Sequence, residues 1–303
     1  MLQIGNKTVK SISKGNQDIV LIVRNSDDSV IYRIEPVASV VLSVDKTVLN
    51  YADNEYATLT AVVEDANGNR LPNRPVDFSV VGGDQIGSTQ YTNQYGIATV
   101  TYQSKGIGDI SIRASVGSIL SETYAIEDCH FYNDLTTSAS DSKFTIGSNA
   151  TVTHDNKGMK IYCGVNGKGN ESESNQVVLN ESLPSGDWEV SFTFTDGNQY
   201  DMLTNIDGLN FDRTDSTGST QILLWKITNH DWNTFYDPSI YISVAKNDVI
   251  KVQKQNNVFS IYVNDTLATT INYDSTYATA KFIMASCCGT RWTQSKNLKI
   301  KQL

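Results

Sequence analysis

Residues 59–83, LTAVVEDANGNRLPNRPVDFSVVGG, hold two short alternating segments separated by turn signals. The first segment places apolar side chains at every second position, at Leu59, Ala61 and Val63. Asp65-Ala-Asn-Gly68 follows, a composition typical of a turn. The second segment repeats the two-residue period, at Val76, Phe78 and Val80. A period of two predicts β-strands with one buried face, and short strands with such turns between them indicate a β-sandwich.

The continuation TNQYGIATVTYQSKGIGDISIRASVG, residues 92–117, adds two more strands of the same kind. Together the two stretches resemble the bacterial group 1 immunoglobulin-like domain of invasin and intimin adhesins. That family shows a strand, D-x-x-G-N, a proline-containing V-x-F strand, T-D-x-x-G-x-A and a G-x-x-x-I/V-x-A strand; Asn93 stands where it usually has Asp. The resemblance implies an Ig-like sandwich over residues 37–127 that serves as a rigid spacer or display module.

Residues 128–303 are long enough for one large β domain. In DWEVSFTFTD, residues 187–196, four apolar side chains share one face: Trp188, Val190, Phe192 and Phe194. NDVIKVQKQNNVFSIYVNDTLATTI, residues 247–271, predicts a tight hairpin followed by a second turn at Asn264-Asp265. The order resembles the concanavalin A-like jelly roll of the laminin-G and glucanase type, in which a W-x-V/L-x-F-x-F strand comes early, such a hairpin late, and a terminal strand returns beside the first. This resemblance implies a lectin-like head.

Residues 1–36 predict three short strands, at 8–12, 19–23 and 30–34. Such a meander buries too little apolar surface to fold alone, so we expect it to attach the protein to a partner. The opening MLQIGNKTVKSISKGN has no basic start and no apolar run of secretory length, so we expect no export signal. The predicted fold class is all-β: a small N-terminal β attachment segment, an Ig-like β-sandwich and a C-terminal jelly-roll β-sandwich.

The overall composition excludes several classes of function. A hydrophobic content of 39% and a charged content of 19% are typical of a globular protein. No apolar run reaches the length of a membrane span, so no membrane partner is expected. A formal net charge of −9 argues against nucleic acid, which requires a basic surface.

The four cysteines leave two interpretations open. Their positions are Cys129, Cys163, Cys287 and Cys288. They are either buried thiols, or one bridge joins Cys129 or Cys163 to Cys287 or Cys288. No C-x-x-C spacing indicates zinc.

No catalytic pattern stands out, so the protein is not expected to be an enzyme. The glucanases of this fold use carboxylates at E-x-D-x-(x)-E spacing, which does not occur here. Asp187 and Glu189 form the nearest pair, and we expect them to lie on the outer, solvated face of their strand. A secreted polysaccharide-active enzyme remains an alternative.

The stretch ITNHDWNTFYDPS, residues 227–239, combines aromatic rings with polar side chains in a predicted loop. Aromatic faces pack against sugar rings, and carboxylate and amide groups bind hydroxyls. The same side chains could instead cover the open end of the core or form a contact between domains. The candidate glycan site consists of His230, Asp231, Trp232, Asn233, Phe235, Tyr236 and Asp237, with Arg291 and Trp292 near another strand end.

A second candidate site is a calcium site at Asp207, Asp212 and Asp215, within a segment rich in oxygen ligands. Its spacing does not match an EF-hand, and the same density of Asp, Asn and Gly defines an ordinary turn, which we favour. No other cofactor is expected.

These features together predict a virion tail adhesin of a tailed virus, located in the virion. Residues 1–36 would bind other tail or baseplate proteins, and the head would bind a host cell-surface polysaccharide or glycoprotein. Tail appendages are often symmetric, so we expect a homo-oligomer, with a trimer as one arrangement. The alternative is a fragment of a cellular adhesin at an extracellular surface.

Overall fold

The computed structural model describes residues 2–4, 7–14, 17–24, 30–33, 36–163, 176–197, 202–207, 209–213, 221–226, 240–272, 282–286 and 292–303. The chain divides into two compact units. The first comprises Met1–Leu49, Asn54–Ser104 and Asp109–Glu127, and the second Asn50–Asp53, Lys105–Gly108 and Asp128–Leu303. Within the described part of the chain, no helix is long and apolar enough to span a bilayer.

The N-terminal strands are β1 (Leu2–Ile4), β2 (Lys7–Lys14), β3 (Gln17–Arg24) and β4 (Val30–Arg33). They form one four-stranded antiparallel sheet in chain order. The three predicted strands are confirmed, and β1 is an additional strand.

The next elements along the chain are strands of the first unit and one short 3₁₀ helix, η1, whose residues belong to the second unit. They are β5 (Ser39–Val44), β6 (Val48–Asn50), η1 (Tyr51–Asp53), β7 (Tyr56–Glu64), β8 (Pro75–Val80), β9 (Gln90–Tyr91), β10 (Ile97–Gln103), β11 (Gly108–Val116), β12 (Ile119–Leu120) and β13 (Tyr124–Cys129). One sheet has the order β10-β7-β5. The other has the order β6-β13-β11-β8-β9, with β12 paired to β11.

The alternation seen in residues 59–83 builds the core of this unit. Leu59, Ala61 and Val63 on β7 are fully buried, as are Val76 and Phe78 on β8. These side chains belong to one apolar cluster with residues of both sheets. Their burial confirms the predicted sandwich.

The turn after β7 depends on one carboxylate and one glycine. Asp65 Oδ1 accepts hydrogen bonds from the backbone N–H groups of Asn67 (2.8 Å) and Asn69 (2.9 Å). Gly96 has φ of +70°, and a Cβ there would lie 2.8 Å from Arg70 Cβ. Glycine is therefore required at this point, where two loops approach closely.

The second unit contains strands and one further short 3₁₀ helix. They are β14 (Phe131–Asn133), η2 (Ser138–Lys143), β15 (Phe144–Ile146), β16 (Ala150–Asp155), β17 (Gly158–Cys163), β18 (Gln176–Leu179), β19 (Trp188–Gly197), β20 (Met202–Ile206), β21 (Leu209–Arg213), β22 (Gln221–Lys226), β23 (Ile240–Ser243), β24 (Val249–Gln255), β25 (Val258–Val263), β26 (Thr266–Asn272), β27 (Phe282–Ser286) and β28 (Trp292–Gln302).

Two large sheets form this unit. One has eight strands, in the order β16-β17-β28-β19-β24-β25-β26 with β14 paired to β28. The other has seven strands, in the order β15-β18-β27-β20-β21-β22-β23. The terminal strand β28 pairs with β19, as the predicted topology requires.

Strand β19 supplies the centre of the core. Trp188, Val190, Phe192 and Phe194 are at most 4% exposed. Phe192 meets Phe282 of the seven-stranded sheet edge-to-face, with ring centroids 6.0 Å apart. The face predicted from DWEVSFTFTD is therefore the face that packs between the sheets.

The predicted hairpin over 247–271 is confirmed. Asn256 and Asn257 both have positive φ, as do Asn264 and Asp265. Two such residues in succession match the right-handed twist of the flanking strands. Cys129 is buried and forms no disulfide with another described residue. The side chains of the other three cysteines lie outside the described residues, so the alternative of a bridge between Cys163 and Cys287 or Cys288 stays a prediction.

Candidate functional site

The eight-stranded sheet has an outer face, turned away from the core, that carries the candidate site. On β17, Met159 and Ile161 are fully buried, so the alternating Lys160 and Tyr162 lie on the outer face. The cross-strand register places Tyr162 directly beside Trp292 of β28. Two aromatic residues therefore lie next to each other on a sheet surface.

Lys160, Tyr162 and Trp292 form what we call the aromatic cluster. The rings of Tyr162 and Trp292 have centroids 6.5 Å apart and planes inclined by 43°. Lys160 Nζ lies 3.5 Å from the Trp292 ring centroid and 5.0 Å from that of Tyr162. All three side chains are half-buried, so their outer parts are open to solvent. The ammonium is held by cation–π attraction beside two accessible ring surfaces.

The β16–β17 hairpin holds this cluster against β28. Gln294, the next outer-face residue of β28, is almost fully buried. Its Nε2 donates hydrogen bonds to Asp155 Oδ1 (2.6 Å) and to the carbonyl oxygen of Gly158 (3.1 Å). Gly158 has φ of +111°, and a Cβ there would collide with the carbonyl oxygen of Ser295. The hairpin turn is thus packed directly on the neighbouring strand, which fixes the cluster in place.

Two threonines extend the cluster toward the sheet edge. Thr151 pairs with Tyr162 and Thr153 pairs with Lys160 across β16, and both threonines are exposed. A threonine hydroxyl both donates and accepts hydrogen bonds. The cluster thus combines ring surfaces, an ammonium and hydroxyls, the groups needed to bind a polyhydroxylated ligand.

Two more lysines lie over aromatic rings on the same face. Lys251 Nζ lies 4.8 Å from the ring centroid of Tyr262. Lys299 Nζ lies 5.9 Å from the ring centroid of Tyr132. We call these two, with Lys160 and Trp292, the three lysine–aromatic pairs.

Lys251 forms a hydrogen-bonded ion pair with Asp265. Lys251 Nζ donates to Asp265 Oδ1 at 2.5 Å. This hydrogen bond, together with the nearby Glu189 and Asp265 charges, raises the pKa of the Lys251 ammonium above its usual value. The same hydrogen bond lowers the pKa of the Asp265 carboxyl. The pair is therefore ionised over the whole neutral range.

Most of the glycan site predicted from the sequence lies outside the described residues. These positions are His230, Asp231, Trp232, Asn233, Phe235, Tyr236, Asp237 and Arg291. Trp292 is described, and it lies in the aromatic cluster. Residues 227–239 lie between β22 and β23 in the sequence, and these two strands pair with each other. The glycan-binding role of residues 227–239 stays a prediction.

The predicted calcium ligands are described only in part. Asp207 follows β20 with φ of +51°, and its fully buried carboxylate accepts a charged hydrogen bond from Lys254 Nζ at 3.2 Å. Asp212 lies in β21, where its side chain is outside the described set, and Asp215 lies outside it altogether. Within the described ranges, no group of three or more His, Cys, Asp or Glu side chains could hold a metal ion.

Asp187 and Glu189, the nearest pair of carboxylates considered for glycoside hydrolysis, both have hydrogen-bond partners. Asp187 Oδ1 accepts from the backbone N–H of Asn256 at 3.0 Å, within the β24–β25 turn region. Glu189 Oε2 accepts from Gln253 Nε2 at 2.8 Å on the outer face. Asp187 therefore stabilises the hairpin turn, and Glu189 forms a hydrogen bond across the sheet surface.

Four residues of the aromatic cluster and the three lysine–aromatic pairs are not among the site residues predicted from the sequence: Lys160, Tyr162, Tyr132 and Lys299. Their signal is present in the alternation of MKIYC (159–163) and LKIK (298–301), where polar or aromatic residues occupy the outer positions. Alternation within one strand does not show which strands pair when they are 130 or more residues apart in the chain. That pairing brings Trp292 beside Tyr162.

One family model matches the chain. Residues 39–127 match the family described as Bacterial Ig-like domain (group 1). This match falls within the predicted Ig-like region, residues 37–127, and covers that part of the chain alone.

Several solved structures show a distant similarity. They include a Crh5 transglycosylase in complex with NAG (13% identity, TM-score 0.43, covering 57% of this chain and 83% of that chain). A carbohydrate binding module, CBM66 from Bacillus subtilis, has 13% identity and a TM-score of 0.36, covering 53% and 96%. The Bacillus licheniformis beta-glucanase has 10% identity and a TM-score of 0.38, covering 57% and 98%. Similarities at TM-scores below 0.5 assign no function to this chain.

Proposed function

We propose that the protein is a non-catalytic virion tail adhesin whose second unit binds glycans on the host cell surface. In this role the Ig-like region acts as a spacer, and residues 1–36 attach the chain to other tail proteins. The aromatic cluster carries the proposal. It presents two adjacent rings, an ammonium and two threonine hydroxyls on the outer face of a sheet.

The physical basis of the proposal is the match between the cluster and a sugar. A sugar ring has an apolar C–H face and a rim of hydroxyl groups. Tyr162 and Trp292 can cover the apolar face, while Thr151, Thr153 and Lys160 can bind the hydroxyls. Because the rings stand on paired strands, little side-chain ordering is needed when the ligand binds.

Alanine variants of the full chain test the proposed site on a glycan array. Trp292→Ala and Tyr162→Ala should each weaken binding to the recognised glycan by about 1–3 kcal/mol, since aromatic anchors dominate binding energy. Tyr95→Ala is the matched control, because Tyr95 is an exposed tyrosine of the first unit. Its affinity should equal that of the wild type.

The same array distinguishes between two candidate glycan sites, the aromatic cluster and the predicted loop. If Trp232→Ala abolishes binding while Trp292→Ala and Tyr162→Ala bind as the wild type does, the cluster is not the glycan site. Turnover of any bound polysaccharide would contradict the non-catalytic role.

The virion role requires a separate measurement. Antibodies raised against the full chain should label the tails of purified particles in electron microscopy and should block adsorption to the host. Label on the surface of uninfected cells would instead favour a cellular adhesin.

A further inference from the structure

The three lysine–aromatic pairs repeat one arrangement along the outer face. In each pair, an ammonium lies within 6 Å of the centroid of an aromatic ring. An ammonium over a ring keeps donors for a second partner, because it has three N–H groups. Each pair thus offers a positive charge and an apolar surface at the same place.

Two of the pairs mark the ends of one cross-strand row. The register aligns Tyr262, Lys251, Ser191, Lys299 and Tyr132 on five neighbouring strands. Four steps between strands make the row about 19 Å long. A row of this length fits an extended polymer better than a single sugar.

The strands of this face carry more lysines than carboxylates, although the chain is acidic; Asp265, in the turn beside them, pairs with Lys251. Five lysines stand on its described strand positions: Lys160, Lys251, Lys296, Lys299 and Lys301. Three carboxylates also stand on strand positions of this face: Asp155, Glu189 and Asp196. The formal net charge of the whole chain is −9, so this local excess of positive charge is a distinct feature.

The carboxylates of the face already have hydrogen-bond or ion-pair partners. Asp155 accepts from Gln294, and Glu189 accepts from Gln253. Asp196 pairs with Lys246 at 2.6 Å. In contrast, no carboxylate among the described residues lies within ion-pair distance of Lys160. The same holds for Lys296, whereas Lys251 pairs with Asp265. Lys160 and Lys296 therefore offer their ammonium groups to a ligand more readily than Lys251 does.

We propose that this face binds an acidic polysaccharide, with sugar carboxylates on the lysines and sugar rings against the adjacent aromatic side chains. The inference rests on the proposed glycan binding and names its ligand class. An acidic sugar combines an anionic group with an apolar ring face, so it matches both halves of a lysine–aromatic pair. The small excess of charge suits a polymer with one charge per sugar better than the densely charged backbone of DNA.

Binding of the full chain to defined polymers tests the ligand class. Polygalacturonate and alginate are the acidic probes, and dextran is the neutral one. We expect binding to an acidic probe that is stronger than to dextran and weakens as the salt concentration rises.

Charge variants locate that binding. The triple substitution Lys160→Gln, Lys296→Gln and Lys299→Gln should lower affinity about tenfold at low salt. It should also reduce the slope of log K against log salt by about two, as fewer counterions are released. Lys46→Gln, at an exposed lysine of the first unit, is the control and should change neither quantity. Tryptophan fluorescence checks that the triple variant is folded. If the triple variant is unfolded, the single variant Lys160→Gln is used in its place.

Three results would overturn the inference. Binding to neutral glycans alone, with no salt dependence, would refute the ligand class but leave the proposed function intact. Equal binding to double-stranded DNA or to anionic phospholipid vesicles would indicate a different class of partner. The absence of binding to any glycan would refute the proposed function as well.

Discussion

A single carboxylate, that of Asp65, shapes the turn after β7. It accepts two backbone N–H groups and the Nδ2 of Asn69 (3.0 Å). These hydrogen bonds, that of the Asn69 side chain foremost, lower the pKa of the Asp65 carboxyl below its ordinary 3.8. A lowered pKa means that ionised Asp65 stabilises the folded state at pH above 3.8, and that this contribution disappears as the pH falls through the folded pKa.

The Asp65→Asn variant tests this dependence. At pH 7 the wild type should unfold at a higher temperature than the variant, and the difference should shrink as the pH falls below 3.8. Calorimetry of the first-unit transition measures both, and Asp84→Asn, at an exposed aspartate of the same unit, is the control. A temperature difference that is constant from pH 7 to pH 3 would contradict the account.

At the scale of elements, the strands that sequence predicts best are those with one strongly apolar face. Strand β19 alternates Trp, Val, Phe and Phe, and its burial follows the alternation. Strand β16 is harder to predict, because ATVTHD alternates only two apolar side chains, Ala150 and Val152, which are partly buried. Its place at the sheet edge comes from pairing with β17, which local sequence does not encode.

The candidate site illustrates the same limit. Trp292 was recognised because tryptophan near polar residues indicates binding on its own. Tyr162 and Lys160 were not, because their significance depends on β17 lying beside β28. Residue type therefore predicts single members of a site, and tertiary pairing decides which of them meet.

The β16–β17 hairpin gives a prediction about stability. Gly158→Ala should destabilise the second unit by at least about 1–3 kcal/mol, since alanine is strained at φ of +111° and would also collide with Ser295. Denaturant unfolding followed by tryptophan fluorescence reports on this unit, because all four tryptophans lie at position 188 or beyond.

Gly186→Ala is the matched control for this clash. Gly186 has φ of +91°, yet a Cβ there meets nothing within 4 Å. Gly186→Ala should therefore lower the free energy of unfolding by less than Gly158→Ala does. Equal losses would show that backbone strain alone, without close packing on β28, accounts for the effect.

At the scale of the whole molecule, the all-β class is what the composition predicts, and the structure confirms it. The chain combines an Ig-like region with a second, larger β-sandwich unit. The first unit supplies no described aromatic cluster comparable to that of the second. This distribution is consistent with a division between a spacer and a binding head, which we propose above.

The most direct test of glycan binding uses the four indole N–H signals of the protein, labelled with ¹⁵N-tryptophan and titrated with the glycan identified on the array. We predict that the Trp292 signal shifts on saturation, while that of Trp188, which is fully buried in the core, does not. Substitution of each tryptophan in turn assigns the signals. If the Trp292 signal stays unchanged at saturation, the glycan does not bind at the aromatic cluster, and the central claim is wrong.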